Sequence, residues 1–148
     1  MARIESEADL LAHYGPVSPK AALKVIDHLD EICRRWLAAC PFALIATTDG
    51  ASLDVSPKGD GPGFLMVEDE THLLIPDWPG NNRLDGYRNI LKNPAIGLIT
   101  IVPGVKETIR INGRAAIHDD EALRQRFVTA RGRLPITVLR VTVDEVFM

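Results

Sequence analysis

The sequence predicts a mainly β domain, a small antiparallel barrel with flanking helices. Three observations point there. From Phe42 onward, short apolar or alternating runs are separated by turn-forming residues. Two pairs of runs lie close enough for hairpins, at Asp49-Gly50 and around Glu68 to Thr71. No regular alternation of strand with helix appears, so a Rossmann-type parallel sheet is not indicated.

Ahead of the strands, the spacing predicts one helix over about 18–39. Ser18 is a good N-cap and Pro19 sits at the first helical position, where its missing N–H costs nothing. Ala22, Val25, Ile26, Leu29, Ile32, Cys33, Trp36 and Leu37 then recur at three- and four-residue steps, a stripe that packs on the barrel until Cys40-Pro41 ends it.

The first strand is the apolar run Phe42 to Thr48, turned by Asp49-Gly50, where both positions tolerate positive φ. The returning segment alternates, with Leu53, Val55 and Pro57 on one face and Asp54, Ser56 and Lys58 on the other. Gly59 to Gly63 is a loop, and Phe64 to Val67 with Leu73 to Ile75 forms the second hairpin. Pro76 to Gly80 breaks the strand. Arg83 to Leu91 reads as a helix with Leu84, Tyr87, Ile90 and Leu91 on its apolar stripe, stopped by Asn93-Pro94. Ala95 to Val102 is a nearly continuous apolar strand. After Pro103-Gly104, Glu107 to Ile117 sets Thr108, Arg110 and Asn112 opposite Ile109 and Ile111. Asp119 or Asp120 caps a short helix to about Ala130, and Ile136 to Phe147 closes the chain with Leu139, Val141 and Val143 inward.

The 148 residues suit a single domain, residues 1–148, which at this size buries roughly 70% of its unfolded surface. A 46% hydrophobic and 25% charged composition is that of an ordinary soluble globule. With a net charge of −3 and no basic stripe, nucleic acid is not an expected partner. No apolar run approaches the ~20 residues of a spanning helix. Met1 to Leu10 carries acidic residues and no apolar core, so it does not read as a signal peptide. Cys33 and Cys40 make no disulfide framework, and buried free thiols in a cytoplasmic protein are the simpler expectation. The four histidines show no ligand spacing, so no metal site is expected.

The most informative segment is Pro76 to Arg83. It joins a strand end to a helix start, where Asn82 is placed to cap and the first-turn N–H groups favour an anion. Arg83 adds a planar fork suited to phosphate oxygens. Strand alternation puts Lys58 on the same face as Ser56, at the strand's end. Each feature alone is more often an ordinary surface cation or helix start. The Gly59 to Gly63 loop lacks the ending of a P-loop, and no nucleophile has a local signature.

Three stretches resemble the pyridoxamine 5'-phosphate oxidase-like FMN-binding proteins, nearest to an uncharacterised bacterial branch. They are Leu53-Asp-Val-Ser-Pro-Lys-Gly-Asp60, Ile75 to Pro94 with its Pro-Asp-Trp-Pro-Gly-Asn-Asn-Arg run, and Glu107-Thr-Ile-Arg-Ile-Asn-Gly-Arg-Ala115. The resemblance implies an FMN-binding split β-barrel that forms a homodimer, with a flavin in each cleft between subunits. Carried over by position, Lys58 and Arg83 meet the FMN phosphate or its neighbouring polar groups, and Asn82 takes a small polar phosphate-ligand position. Val55 and Ser56 border the isoalloxazine, Ile75 and Pro76 lie along the cofactor, and Thr108 reaches the flavin, often from the partner chain.

Two departures accompany the resemblance. Leu53 stands where the oxidase has an arginine, and the oxidase's substrate-binding residues are not recognisable. Relatives also continue past the Val143 to Phe147 strand with a basic and aromatic tail that helps to close the cleft, whereas this sequence stops at Met148. The expectation is an FMN-dependent oxidoreductase in which the flavin carries the chemistry and no side chain is a committed acid or base. The alternative is a non-catalytic flavin- or haem-binding paralogue. Neither the substrate nor an electron donor such as NADH or NADPH is named by these residues.

Overall fold

The computed structural model describes residues 3–148. Among these, seven strands form one antiparallel sheet: β1 (Phe42–Thr48), β2 (Leu53–Gly59), β3 (Met66–Val67), β4 (His72–Asp77), β5 (Ala95–Ile101), β6 (Ile109–His118) and β7 (Thr137–Phe147). Their order across the sheet is β2-β1-β5-β6-β7-β4-β3. The sheet curls into a half-barrel with five helices around it, α1 (Glu7–Tyr14), α2 (Pro19–Ala22), α3 (Glu31–Ala39), α4 (Asp85–Lys92) and α5 (Glu121–Gln125). This is the split-barrel architecture the sequence predicts. No helix among the described residues is long and apolar enough to cross a membrane.

The concave face holds the core. Ala43 and Ile45, Ile96 and Leu98, Ile109 and Ile111, and Leu139, Val141 and Val143 alternate inward from β1, β5, β6 and β7, and α3 covers them with Cys33 and Leu37. Among the inward polar residues, Thr100 on β5 is fully buried. Its hydroxyl accepts from Trp36 Nε1–H at 2.9 Å and donates to the Ile109 carbonyl at 2.9 Å, so both groups are satisfied and α3 is pinned to the sheet. Cys33 and Cys40 are free and buried, and burial pushes the Cys33 thiol up to about 12.

The single helix expected over 18–39 is two helices. Ser18 caps α2, accepting from Ala21 N–H, but the helix ends at Ala22. Ile26 instead exchanges two backbone hydrogen bonds with Val146, at 2.9 and 2.7 Å, and Leu29 N–H donates to the Glu70 carbonyl at 2.7 Å. Tertiary pairing there outcompetes the helical stripe. Asp30 restarts the helix as the cap of α3, accepting from Cys33 N–H at 2.8 Å. The expected turn also changes: Asp49 to Ser52 make a four-residue loop in which only Gly50 has positive φ, and Asp49 accepts from the Ala51 and Ser52 N–H groups.

Strand β4 continues through Pro76 to Asp77 rather than breaking at the proline. Pro76 pairs with Val138 on one side, while β3 reaches only Leu73 and Leu74 on the other, so the missing N–H faces no neighbour. The helix expected to run to about Ala130 is confined to α5, capped by Asp120. Helix α1, which apolar periodicity did not reveal, is capped by Ser6 and has no buried residue.

The convex face of β2, β1 and β5 is apolar and open to solvent. The register lines up Pro57, Leu44 and Ile99 in one row, and Val55, Ala46 and Gly97 in the next. Leu53 is 72%, Val55 55% and Ile99 39% exposed. Pairing with β6 and β7 extends the first row to Arg110 and Phe147, whose guanidinium and ring stack at 4.3 Å. The second row ends in Asn112 and Glu145, joined by a 2.6 Å hydrogen bond.

Candidate functional site

Strand β2 opens one edge of the sheet, and β4 lies next to last at the other. The curl brings them together without a backbone ladder between them, and α4 packs beside this seam on β1 and β2. A cavity of about 470 Å³ lies there. Ile45, Ile90 and Leu139 make its apolar wall, the inner face of β2 supplies Asp54, Ser56 and Lys58, and the segment from Asp77 to Tyr87 closes the other side. Its size is that of a small-molecule pocket. Gly86 permits the close approach of α4, since a Cβ there would stand 3.3 Å from Thr47 Oγ1 and 3.4 Å from Asp54 Oδ2.

Both cations of the cavity are held by carboxylates of the same wall. Lys58 Nζ pairs with Asp77 across the seam, and Lys58 also lies 5.5 Å from the Tyr87 ring centroid. Arg83 Nε donates to Asp85 Oδ2 at 2.8 Å. The two pairs differ in burial. The side chains of Lys58 and Asp77 are 27% and 13% exposed, those of Arg83 and Asp85 78% and 39%. The first is therefore firmly held and the second easily exchanged with solvent or ligand. Ser56 Oγ–H donates to Asp54 Oδ2 at 2.7 Å.

Trp78 and Tyr87 line the cavity, with Trp78 Nε1 and the Tyr87 hydroxyl buried in the protein rather than open to it. Burial first, and the Asp77 carboxylate second, push the Tyr87 pKa up, so the phenol keeps its proton.

Asn82 does not cap α4. The cap position falls to Leu84, which has left-handed φ of 58° and gives the helix no side-chain hydrogen bond. Asn82 is itself left-handed at 57°, and the Asn81 carboxamide accepts from Arg83 N–H at 3.1 Å. The turn thus spends the Asn81 side chain on its own backbone, and no side chain caps the amino end of α4. A left-handed leucine is disfavoured by roughly 1–2 kcal/mol. Left-handed residues flanking a cation ahead of a helix are the backbone pattern from which anion-binding concavities are made.

Of the residues singled out from sequence, the structure brings Val55, Ser56, Lys58, Asn82 and Arg83 to this cavity. Val55 borders it from the outer face of β2, so its side chain points to solvent. Ile75 and Pro76 are buried two residues and one residue short of the cavity edge at Asp77. Thr108 is exposed ahead of β6 and away from the cavity of its own chain. Asp54, Asp77 and Asp85 are not among the residues predicted from sequence. Asp54 shares the polar face of Ser56 and Lys58, a signal already present in the alternation, whereas the pairing of Asp77 depends on the curl.

The family model described as pyridoxamine 5'-phosphate oxidase matches residues 29–148, from just before α3 to the end of the chain. This chain belongs to that family. Among curated proteins none matches the sequence. A pyridoxamine 5'-phosphate oxidase of Lactobacillus delbrueckii, described as putative, superposes with a TM-score of 0.64 at 20% identity, over 83% of this chain and 96% of that one. HupZ of Group A Streptococcus gives 0.62 at 19% identity, over 79% and 90%. A FAD-binding protein of Mesorhizobium loti gives 0.53 at 15%, over 82% and 93%. At these identities the likeness is one of fold.

Within this family frame, the departure at Leu53 acquires a structural meaning. The side chain is turned to the convex face and solvent, away from Asp54, Ser56 and Lys58. Elsewhere, Glu68, Asp69 and His72 bring ligand-type atoms within 4.8 Å of one another. Glu68 is already held by Arg126 at 2.8 Å and Arg140 at 2.6 Å, and Asp69 by the Thr71 N–H and His72, so this cluster is an internal ion network.

Proposed function

We propose that this chain binds FMN in the seam cavity and serves as a flavin-dependent oxidoreductase on a small substrate. The observation that carries this reading is the cavity itself, with Lys58 on one side and Arg83 beside an uncapped helix terminus on the other. The residues suit the cofactor's parts. Arg83 and the open amino end of α4, with Asn82 beside them, would hold the phosphate. Asp54 and Ser56 would accept and donate along the hydroxyls of the ribityl chain. Val55 and Ser56 would border the ring from β2. When bound, the flavin supplies hydride or electron transfer. The protein's share is placement: Ile45, Ile90 and Leu139 exclude water from one side, and the Tyr87 phenol stays neutral beside Asp77.

The apolar convex face supports a homodimer in this reading. Leu53, Val55 and Ile99 are exposed together on this face, and Val55 also borders the cavity. A second copy seated there would bring Thr108 and Arg110 toward a cleft between subunits. The second reading, a non-catalytic flavin carrier, is favoured by the carboxylates already paired with both cations.

The test is the absorption spectrum of the purified protein after incubation with FMN and gel filtration. Retained flavin that is bleached by NADH or NADPH supports the oxidoreductase. Retained flavin that no donor reduces supports the carrier, and a colourless protein refutes both.

A further inference from the structure

Lys58 and Asp77 face each other across the seam, yet only one of them is free to move. The Asp77 backbone is fixed by its register with Thr137 and by its carbonyl, which accepts from Ile136 N–H at 2.8 Å. Lys58 reaches the pair from an edge strand on a flexible four-carbon stem. A ligand that competes for the ammonium therefore strands a carboxylate that is only 13% exposed. Removing one partner of a covered ion pair is costly because the other charge stays out of water. A dianionic phosphate drawn to Lys58 would either separate the pair or lie against Asp77.

A neutral group with a carbonyl next to an N–H meets the pair without separating it. The carbonyl accepts from an ammonium N–H not used by Asp77, and the N–H donates to a free lone pair of the carboxylate. The imide edge of a flavin's pyrimidine ring has this pattern. Arg83 differs, because its pair with Asp85 is largely in solvent and exchanges for a phosphate at little cost.

We infer that the Lys58–Asp77 pair is the specificity element for the ligand's neutral donor–acceptor edge, and that the phosphate is held apart from it by Arg83. The inference rests on the flavin reading and assigns the two ends of that ligand.

The experiment is a set of fluorescence titrations with FMN and with riboflavin, which lacks the phosphate, on wild type, Lys58→Met and Arg83→Met. Lys58→Met is expected to weaken both ligands by the same factor, about tenfold, the worth of one charge-assisted hydrogen bond. Arg83→Met is expected to weaken FMN alone. A Lys58→Met protein that loses FMN selectively, or loses neither ligand, overturns the inference while leaving the flavin reading in place. Wild-type protein that binds neither ligand overturns both. A second arm does not depend on any variant folding: 3-methylriboflavin, whose imide N–H is replaced, is expected to bind wild type about tenfold more weakly than riboflavin. Equal affinity overturns the inference.

Discussion

Lys58 on β2 and Asp77 at the end of β4 form an ion pair across the seam of the curled sheet, joining two strands that share no backbone ladder. The pair closes by side chains what the strands leave open, and it does so at the mouth of the cavity. Because both side chains are mostly covered, Asp77→Ala should cost about 1–3 kcal/mol of stability, below the range for fully buried pairs. A double-mutant cycle with Lys58→Met in urea should show coupling of about 1 kcal/mol or more. Simple additivity would mean that the pair does not hold the seam.

The bulge between Asn112 and Gly113 makes a second, sharper prediction. A Cβ at Gly113 would lie 2.1 Å from the Thr142 carbonyl oxygen, a backbone atom that cannot swing aside. Gly113→Ala should therefore cost more than about 3 kcal/mol or prevent folding, since β6 and β7 are the longest strands and must shift together. Gly104→Ala, at a left-handed turn with open space, should cost only about 1 kcal/mol. Thermal melts of the two variants give the comparison.

The convex face predicts self-association. Sedimentation of the wild type at micromolar concentration should give a dimer, and Val55→Arg should shift it to monomer while leaving the fold intact, because that side chain is 55% exposed. A wild-type monomer would remove the partner from the account of Thr108 and Arg110.

Acid stability should report on Glu68. Its hydrogen bond to Arg140 holds its carboxyl below the ordinary value of 4.5, with Arg126 adding to this and burial opposing it. A carboxyl depressed on folding contributes stability that is fully present above its unfolded pKa and lost as pH falls through the lower folded value. Urea stability measured at pH 7, 5 and 3 should therefore fall less steeply below pH 5 in Glu68→Gln than in wild type. Parallel curves would show that the Arg126–Glu68–Arg140 network does not titrate with folding.

Much of this fold was legible because strand patterning is local. Phe42 to Thr48 and the alternation from Leu53 to Lys58 fix their strands and faces without knowledge of their neighbours. What failed depended on distant partners. Ile26 lies on a good helical stripe, but Val146 offers its backbone, and the helix over 18–39 gives way. Asn82 has the right chemistry to cap a helix, yet the turn places Leu84 there. The site was legible as two halves, Lys58 and the Asn82-Arg83 turn. Their meeting at one cavity, and the pairing of Asp77 with Lys58, follow from the curl of seven strands, which no local pattern encodes.

A flavin in the seam cavity would lie against one of the two tryptophans. Trp78 lines the cavity, whereas Trp36 is tied to Thr100 beneath α3. Titration with FMN should quench part of the tryptophan emission saturably, with one flavin per chain. Trp78→Phe should abolish most of that quenching while the flavin's own fluorescence still reports binding. Emission that falls only linearly with added FMN, alike in wild type and Trp78→Phe, would contradict a flavin in this cavity.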